Sequence, residues 1–363
     1  MKNEKIRRLF EWSRGRKTPP FTLDISPTDK CNLKCLSCWQ RCFKNIDSSY
    51  ELPDEKLIDV VREAIGFGVK EFEITGGGEP LLRKKLVLEI MELVKSSGCI
   101  GNITTNGTLF SDEDIEKIVK IGWDRITFSI DGPDAETNDY LRGKGSFEKI
   151  LRIISKFNEY KKLYNSKKPI IKFNTVLSNK NYDKVKKIID LANKVNCEIV
   201  SFEPLTVHSE FGKKLKLKKN EIKQFAVIIP EAKRLAEKYG IFTNIDGLVQ
   251  TRFIEKSNKM VEVIENESKN NDVEETSFES VSCFEPWWHL VIKVDGSAQP
   301  CCLYDLKEEN VKDKSLEEIW HGQTFQLIRK IMVNRKFSKF CSICNASQVL
   351  ENRRIREILK NKG

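Results

Sequence analysis

Thr22-Leu-Asp-Ile-Ser-Pro-Thr-Asp-Lys-Cys31-Asn-Leu-Lys-Cys35-Leu-Ser-Cys38 carries a short strand-forming run straight into three closely spaced cysteines. The run Thr22–Ser26 is the first of six such segments, followed by Glu71–Thr75, Gly101–Thr105, Arg125–Ile130, Ile170–Val176 and Glu198–Phe202. Amphipathic helical patterns alternate with them at 54–68, 83–97, 112–121, 146–163 and 182–195, then at 219–239. Asp54, Ser111 and Asn181 stand where helix N-caps belong. Strand–helix alternation of this kind implies a parallel sheet with right-handed crossovers. Six units fall short of a closed eight-fold barrel. The expected fold is therefore α/β: a partial (β/α)6, TIM-like barrel with ligands at the carboxyl ends of its strands.

Outward from that core, the 363 residues divide by composition. Residues 1–20 form an N-terminal extension, 21–240 the barrel, 241–282 a linker or mobile loop, 283–346 a small cysteine-bearing domain and 347–363 a basic helix. No apolar run approaches the ~20 residues needed to cross a bilayer. The N-terminus lacks the apolar stretch of a secretory signal, so the cytoplasm is the expected compartment and no membrane partner is expected. The net charge of +10 is spread over short groups, Lys5–Arg8, Lys213–Lys219 and Arg353–Lys362, which read as solvated faces. Nucleic acid is accordingly not an expected partner.

The eleven cysteines are grouped. Positions 31, 35, 38 and 42 form one set, and 283, 301, 302, 341 and 344 another. Cys99 and Cys197 stand alone and read as small buried hydrophobes. Three thiolates on one loop can ligate three irons of a cubane and leave the fourth iron open. A zinc site is the alternative reading, with Cys42 as the fourth ligand that structural zinc requires. The second set offers Cys283, Cys301 and a C-x2-C pair, Cys341 and Cys344. Four thiolates there can saturate a cubane or a zinc ion, and Cys302 beside Cys301 leaves one ligand ambiguous.

Further motifs fall at the expected strand ends: Gly76-Gly77-Gly78-Glu79-Pro80, Thr105-Asn106-Gly107, Ser129-Ile-Asp131-Gly132 and, beyond them, Tyr140-Leu-Arg142-Gly143. With these companions the chain resembles the radical SAM superfamily, whose hallmark is a C-x3-C-x2-C loop after the first barrel strand. The resemblance implies that Cys31, Cys35 and Cys38 hold a [4Fe–4S] cluster whose open iron binds S-adenosyl-L-methionine. One electron then breaks the S–C5′ bond and yields a 5′-deoxyadenosyl radical. It further implies that Gly77, Gly78 and Glu79 hold the methionine amino group. Ser129 and Asp131 would lie near the ribose with Asn106 close by, and Arg142 would pair with the methionine carboxylate. One departure is Ser37, where the family often has an aromatic, with Trp39 following.

The stretch from Cys283-Phe-Glu-Pro-Trp287 through the Asp295-Gly296 turn and Pro300-Cys301 to Glu318-Ile-Trp320 resembles the SPASM/twitch extensions of that family. This implies an auxiliary [4Fe–4S] cluster on Cys283, Cys301, Cys341 and Cys344. The implied function is hydrogen abstraction from an unidentified small molecule in a net oxidation, fed by an electron donor such as ferredoxin or flavodoxin. A peptide-modifying enzyme is the alternative, less expected because only about 20 residues precede the first strand. A non-catalytic metal protein that binds RNA is a remote third reading. Asn174, Glu203 and His208 are candidate substrate-side groups.

Overall fold

Six isoleucines stand side by side across six strands: Ile292, Ile25, Ile74, Ile103, Ile126 and Ile171 are consecutive register partners. All six are 0% exposed, and burial of each contributes roughly 1.5–3 kcal/mol. The computed structural model describes residues 2–42, 49–207, 209–250, 278, 281–304, 306–334, 341, 344 and 346–360.

The strands are β1 (Thr22–Ile25), β2 (Glu71–Ile74), β3 (Ile100–Thr105), β4 (Arg125–Ser129), β5 (Ile170–Leu177), β6 (Ile199–Pro204), β7 (Phe242–Thr243), β8 (His289–Ile292) and β9 (Ala298–Gln299). They form one sheet in the order β7-β6-β5-β4-β3-β2-β1-β8-β9. Every pairing is parallel except β8 with β9. Helices α1 (Lys2–Ser13), α2 (Asp54–Phe67), α3 (Lys84–Ser96), α4 (Asp112–Lys120), α5 (Ala135–Arg142), α6 (Ser146–Leu163), α7 (Val185–Lys194), α8 (Glu210–Leu215), α9 (Lys219–Tyr239) and α10 (Gly247–Gln250) accompany the parallel strands. After the hairpin come α11 (Leu316–His321), α12 (Gln323–Val333) and α13 (Ala346–Lys360).

The partial barrel follows the expected alternation, with a short seventh parallel strand added by β7. Next to the isoleucine row, on the opposite face, runs a polar row: Asp24, Glu73, Asn102 and Arg125 are consecutive register partners. The Glu73 and Arg125 side chains remain 34% and 31% exposed, although both sit mid-sheet. Such exposure at the centre of a sheet shows that the concave side is hollow and polar. The glycine at 101 has a packing reason: a Cβ there would lie 2.1 Å from the Trp123 ring, which is fully buried.

Several local expectations need correction. Ser111 does cap α4, in a capping box with Asp114. Asp54 is instead the first residue of α2, behind Pro53, and pairs with Arg83. Asn181 caps nothing with its side chain. Its amide reaches inward, donating to the carbonyls of Asp131 (2.8 Å) and Val176 (2.9 Å). Nor is Lys5–Arg8 a solvated face. Arg8 is 4% exposed and donates to the carbonyls of Pro19, Pro20 and Gly68, while the Lys5 ammonium sits over the Trp288 ring. These contacts bind α1 to the start of the barrel.

The cysteine-bearing C-terminal stretch is joined to the barrel through the sheet itself. β8 pairs with β1 from Thr22↔His289 to Ile25↔Ile292. Its hairpin turns at Gly296, whose φ of +85° favours glycine, as the Asp295-Gly296 signal predicts. The helices of this stretch lie against the barrel's outer layer, where the Leu316 amide donates to Glu63 at 2.6 Å. Among the described residues no helix is long and apolar enough to cross a membrane.

Candidate active site

Beyond β1 the backbone runs on beside the loop that follows β2. Gly78 N donates to Thr28 O at 3.0 Å and Glu79 N to Lys30 O at 2.8 Å. The contact is so close that a Cβ on Gly78 would stand 1.9 Å from Lys30 O. Gln40, in the turn Trp39–Cys42, adds a bond from its amide to Gly77 O at 2.6 Å. Cys31 therefore begins its loop from a fastened base. The loop's middle is held by the end of α5, where Leu36 N donates to Leu141 O at 2.8 Å and the Cys35 thiol faces Arg142 O at 3.6 Å. Cys31, Cys35 and Cys38 are half-buried and form no disulfide. Burial pushes the Cys31 thiol up, and the nearby charges of Cys35, Glu79 and Cys38 push the same way. The three sulfurs thus share one neighbourhood. Cys42 is exposed.

Glu79 is 2% exposed. Its carboxylate accepts from Thr105 Oγ1 (2.6 Å), Asn106 N (2.7 Å) and Leu81 N (3.1 Å). Burial raises its pKa, and these donors oppose that rise. The carboxylate therefore bolts the loop after β2 to the loop after β3. Asn106 extends the link, donating to Asn32 Oδ1 at 2.8 Å inside the cysteine loop and accepting from Thr108.

At the next strand end, Asp131 is 2% exposed and fully engaged. Its Oδ1 accepts from Val176 N at 2.8 Å and its Oδ2 from Arg142 Nη1 at 2.8 Å. Its own N–H donates to Asn138 Oδ1. Burial disfavours the Arg142 cation, yet Asp131 and the thiols of Cys35 and Cys31 hold its pKa above the ordinary value. Among the described residues Arg142 Nε, which is buried, has no hydrogen-bond partner. Ser129, half-buried at the end of β4, lies beside Asn174 in the register. Glu203 is half-buried near the end of β6, and His208 lies outside the described residues.

The second thiol set gathers between the β8–β9 hairpin and α13. Cys283, Cys301, Cys341 and Cys344 are half-buried, whereas Cys302 is exposed. Burial pushes the Cys283 and Cys301 thiols well up, and each also feels the charge of Cys344. Cys283, Cys301 and Cys341 border an apolar cluster containing Phe284, Trp287 and Tyr304. Cys99 and Cys197 are buried in the core, at 4% and 3% exposure.

Sequence reading passed over Asn32, Gln40, Thr105 and Asn138, which build the site from behind. Only Asn32 and Thr105 carried a signal, lying inside quoted motifs. The buried pair of His289 Nδ1 and Glu285 Oε2, 2.7 Å apart beneath the hairpin, also went unseen.

Residues 25–192 match the radical SAM superfamily, and residues 283–345 match the iron–sulfur cluster-binding domain called SPASM. The chain belongs to the radical SAM superfamily. As a radical SAM protein it uses a [4Fe–4S] cluster and S-adenosylmethionine, and its SPASM domain carries auxiliary iron–sulfur. The residues present fit these groups: half-buried thiols outside any disulfide, a close approach at Gly78 that leaves no room for a Cβ, and a buried guanidinium whose Nε has no partner among the described residues.

Among relatives, a GTP 3′,8-cyclase of Desulforamulus reducens is 36% identical over 137 residues, 37% of this chain and 41% of that protein. The radical SAM chain thus spans less than half of that relative's length. An AdoMet-dependent heme synthase of Methanosarcina barkeri is 25% identical over 346 residues, 91% of this chain and 89% of the relative. Among solved structures, Streptococcus suis SuiB bound to precursor peptide SuiA superposes with a TM-score of 0.64 at 18% identity, covering 94% of this chain and 74% of that one. Native anSMEcpe with bound AdoMet gives a TM-score of 0.63 at 19% identity, covering 93% of this chain and 96% of that one.

Proposed function

We propose that this radical SAM protein oxidises a polar small molecule by hydrogen abstraction followed by loss of an electron and a proton. The observation that carries this reading is the pairing of β8 with β1, which joins the hairpin flanked by Cys283 and Cys301 to the strand that leads into the first loop, with those two thiols toward the opposite end of the strands. In this reading Cys31, Cys35 and Cys38 hold the first cluster, and Cys283, Cys301, Cys341 and Cys344 hold an auxiliary [4Fe–4S] cluster. With S-adenosylmethionine bound, these groups supply a hydrogen-abstracting radical and an acceptor for the electron that an oxidation releases.

The chain's own residues then bind and orient. Gly77 and Gly78 offer backbone to the methionine amino end, with Glu79 holding their loop in place. Arg142, aligned by Asp131, takes the planar methionine carboxylate, a partner that suits a guanidinium. Ser129 and Asn106 border the ribose side. The substrate lies in the hollow interior, where Asp24, Glu73, Arg125 and Lys172 offer charge of both signs. A ferredoxin or flavodoxin supplies the electron.

Peptide modification is the second reading, supported by a fold neighbour with a precursor peptide bound. The heme synthase relative places tetrapyrroles in the assay as well.

The test is anaerobic incubation of the reconstituted protein with dithionite and S-adenosylmethionine. Release of 5′-deoxyadenosine is expected, and normal release by a Cys35→Ala protein would sink the assignment. Metabolite, peptide and tetrapyrrole pools offered in parallel should yield one product lighter by two hydrogens. A Cys31/Cys35/Cys38→Ala triple variant should retain about four irons, and a folded variant carrying zinc instead would refute the second cluster.

A further inference from the structure

A recess of about 240 Å³ lies between α1 and the C-terminal helices, lined by residues that belong to none of the strand-end loops. Trp12, Phe278 and Trp287 wall it, Arg329 forms part of its lining and Lys17 and Lys330 add positive charge. Among the described residues no carboxylate lines it.

Arg329 is the unusual member. It is 6% exposed. Its Nε donates to Pro286 O and its Nη1 to Trp320 O, both at 2.8 Å. Its guanidinium lies 4.4 Å from the Trp320 ring centroid and 4.7 Å from that of Trp12. Among the described residues it has no carboxylate partner, and its Nη2 is buried with no hydrogen bond. Burial lowers its pKa to about 9, so the group stays charged at neutral pH.

A buried ion loses its hydration. The aromatic faces offset part of that loss, and the unmade N–H bond adds to it. Proteins seldom leave such a cation without an anion. Two other buried polar atoms on the same recess also lack partners among the described residues: Trp12 Nε1 and His321 Nδ1.

We propose that this recess binds a small oxyanion, a carboxylate or phosphate on a compact apolar body, received by Arg329 Nη2 and Trp12 Nε1. The aromatic walls take the apolar body, and Lys17 and Lys330 draw the charge in. The site is independent of S-adenosylmethionine binding.

The test titrates benzoate, inorganic phosphate and benzyl alcohol into the full-length, cluster-loaded protein by calorimetry, with thermal melts alongside. One-to-one binding of an anion that raises the melting temperature is expected. Trp12→Phe keeps the ring but removes the donor, and should weaken that binding about tenfold while the unliganded melt changes little. Phosphate binding with the same sensitivity would support the site and assign it to phosphate groups. Benzyl alcohol binding as tightly as benzoate would overturn it, because apolar filling alone would then suffice. Absence of saturable binding by either anion, or indifference to Trp12→Phe, would overturn it too.

Discussion

Arg142 Nη1 and Asp131 Oδ2 lie 2.8 Å apart in a buried ion pair, and the same carboxylate accepts from the Val176 amide. The acid is thus fixed to β5 before it meets the base, and it aims the guanidinium toward the thiols of Cys35 and Cys31. Removing one partner of a buried pair costs roughly 3–5 kcal/mol, because the other charge is left uncompensated. Asp131→Asn should therefore lower the melting temperature and weaken S-adenosylmethionine binding at least tenfold in calorimetry. Arg142→Gln should weaken the binding equally. Unchanged affinity in both would show that the pair only holds the end of α5.

The three consecutive glycines should not respond alike to alanine. A Cβ on Gly76 meets nothing closer than 3.5 Å, whereas on Gly77 it meets Asp29 Oδ1 at 1.6 Å, a side-chain end that can turn away. On Gly78 it meets the backbone carbonyl of Lys30 at 1.9 Å. Gly78→Ala must push two backbones apart and should cost about 1–3 kcal/mol or more. Melting temperatures and iron content should fall in the order Gly76→Ala, Gly77→Ala, Gly78→Ala. Equal effects would refute the close approach.

Asp24 supplies a pH signature. Burial, then the neighbouring charge of Glu73, push its carboxyl up to about 6. An unfolded aspartate titrates near ~3.9, so the native state holds the proton more tightly than the unfolded one. Its contribution to stability therefore declines as pH rises from about 4 to about 6 and stays low above that window. Asp24→Asn should raise the melting temperature at pH 8 and leave it nearly unchanged at pH 4. A gain of equal size at both values would mean that charge is not the cause.

Asn106 and Asn32 tie the loop after β3 to the cysteine loop. This bond is part-buried, and its loss costs ~0.5–1.5 kcal/mol. Asn106→Ala should slow cluster reconstitution and reduce bound iron, with Asn32→Ala milder because Asn106 keeps Thr108. Measured iron per chain decides it; wild-type loading in both would remove the proposed support.

The barrel was legible because its signals are local. Alternation of strand and helix, the Ser111 cap and the Gly296 turn each depend on neighbours in sequence, and each stands where the pattern put it. The strand-end motifs were visible for the same reason. What the pattern hid depends on distant partners. Lys5 and Arg8 look like surface charge until Trp288 and three carbonyls close over them. Asn181 looks like a cap because its true partners, Asp131 and Val176, sit at the ends of other elements. His289-Leu-Val-Ile292 reads as a strand, but nothing in those four residues says that β1 is its neighbour.

That last pairing bears on how the molecule is made. Translation releases Thr22 long before His289, its register partner. Until then one side of β1 offers unpaired backbone groups, the kind of edge that invites pairing with other chains. A nascent chain that has already emitted its first three cysteines is therefore still unsealed on that flank. Closure waits for nearly the whole polypeptide, so a premature stop after residue 282 removes the thiols of Cys283, Cys301, Cys341 and Cys344 and also leaves β1 as a sticky edge for the cell's quality control.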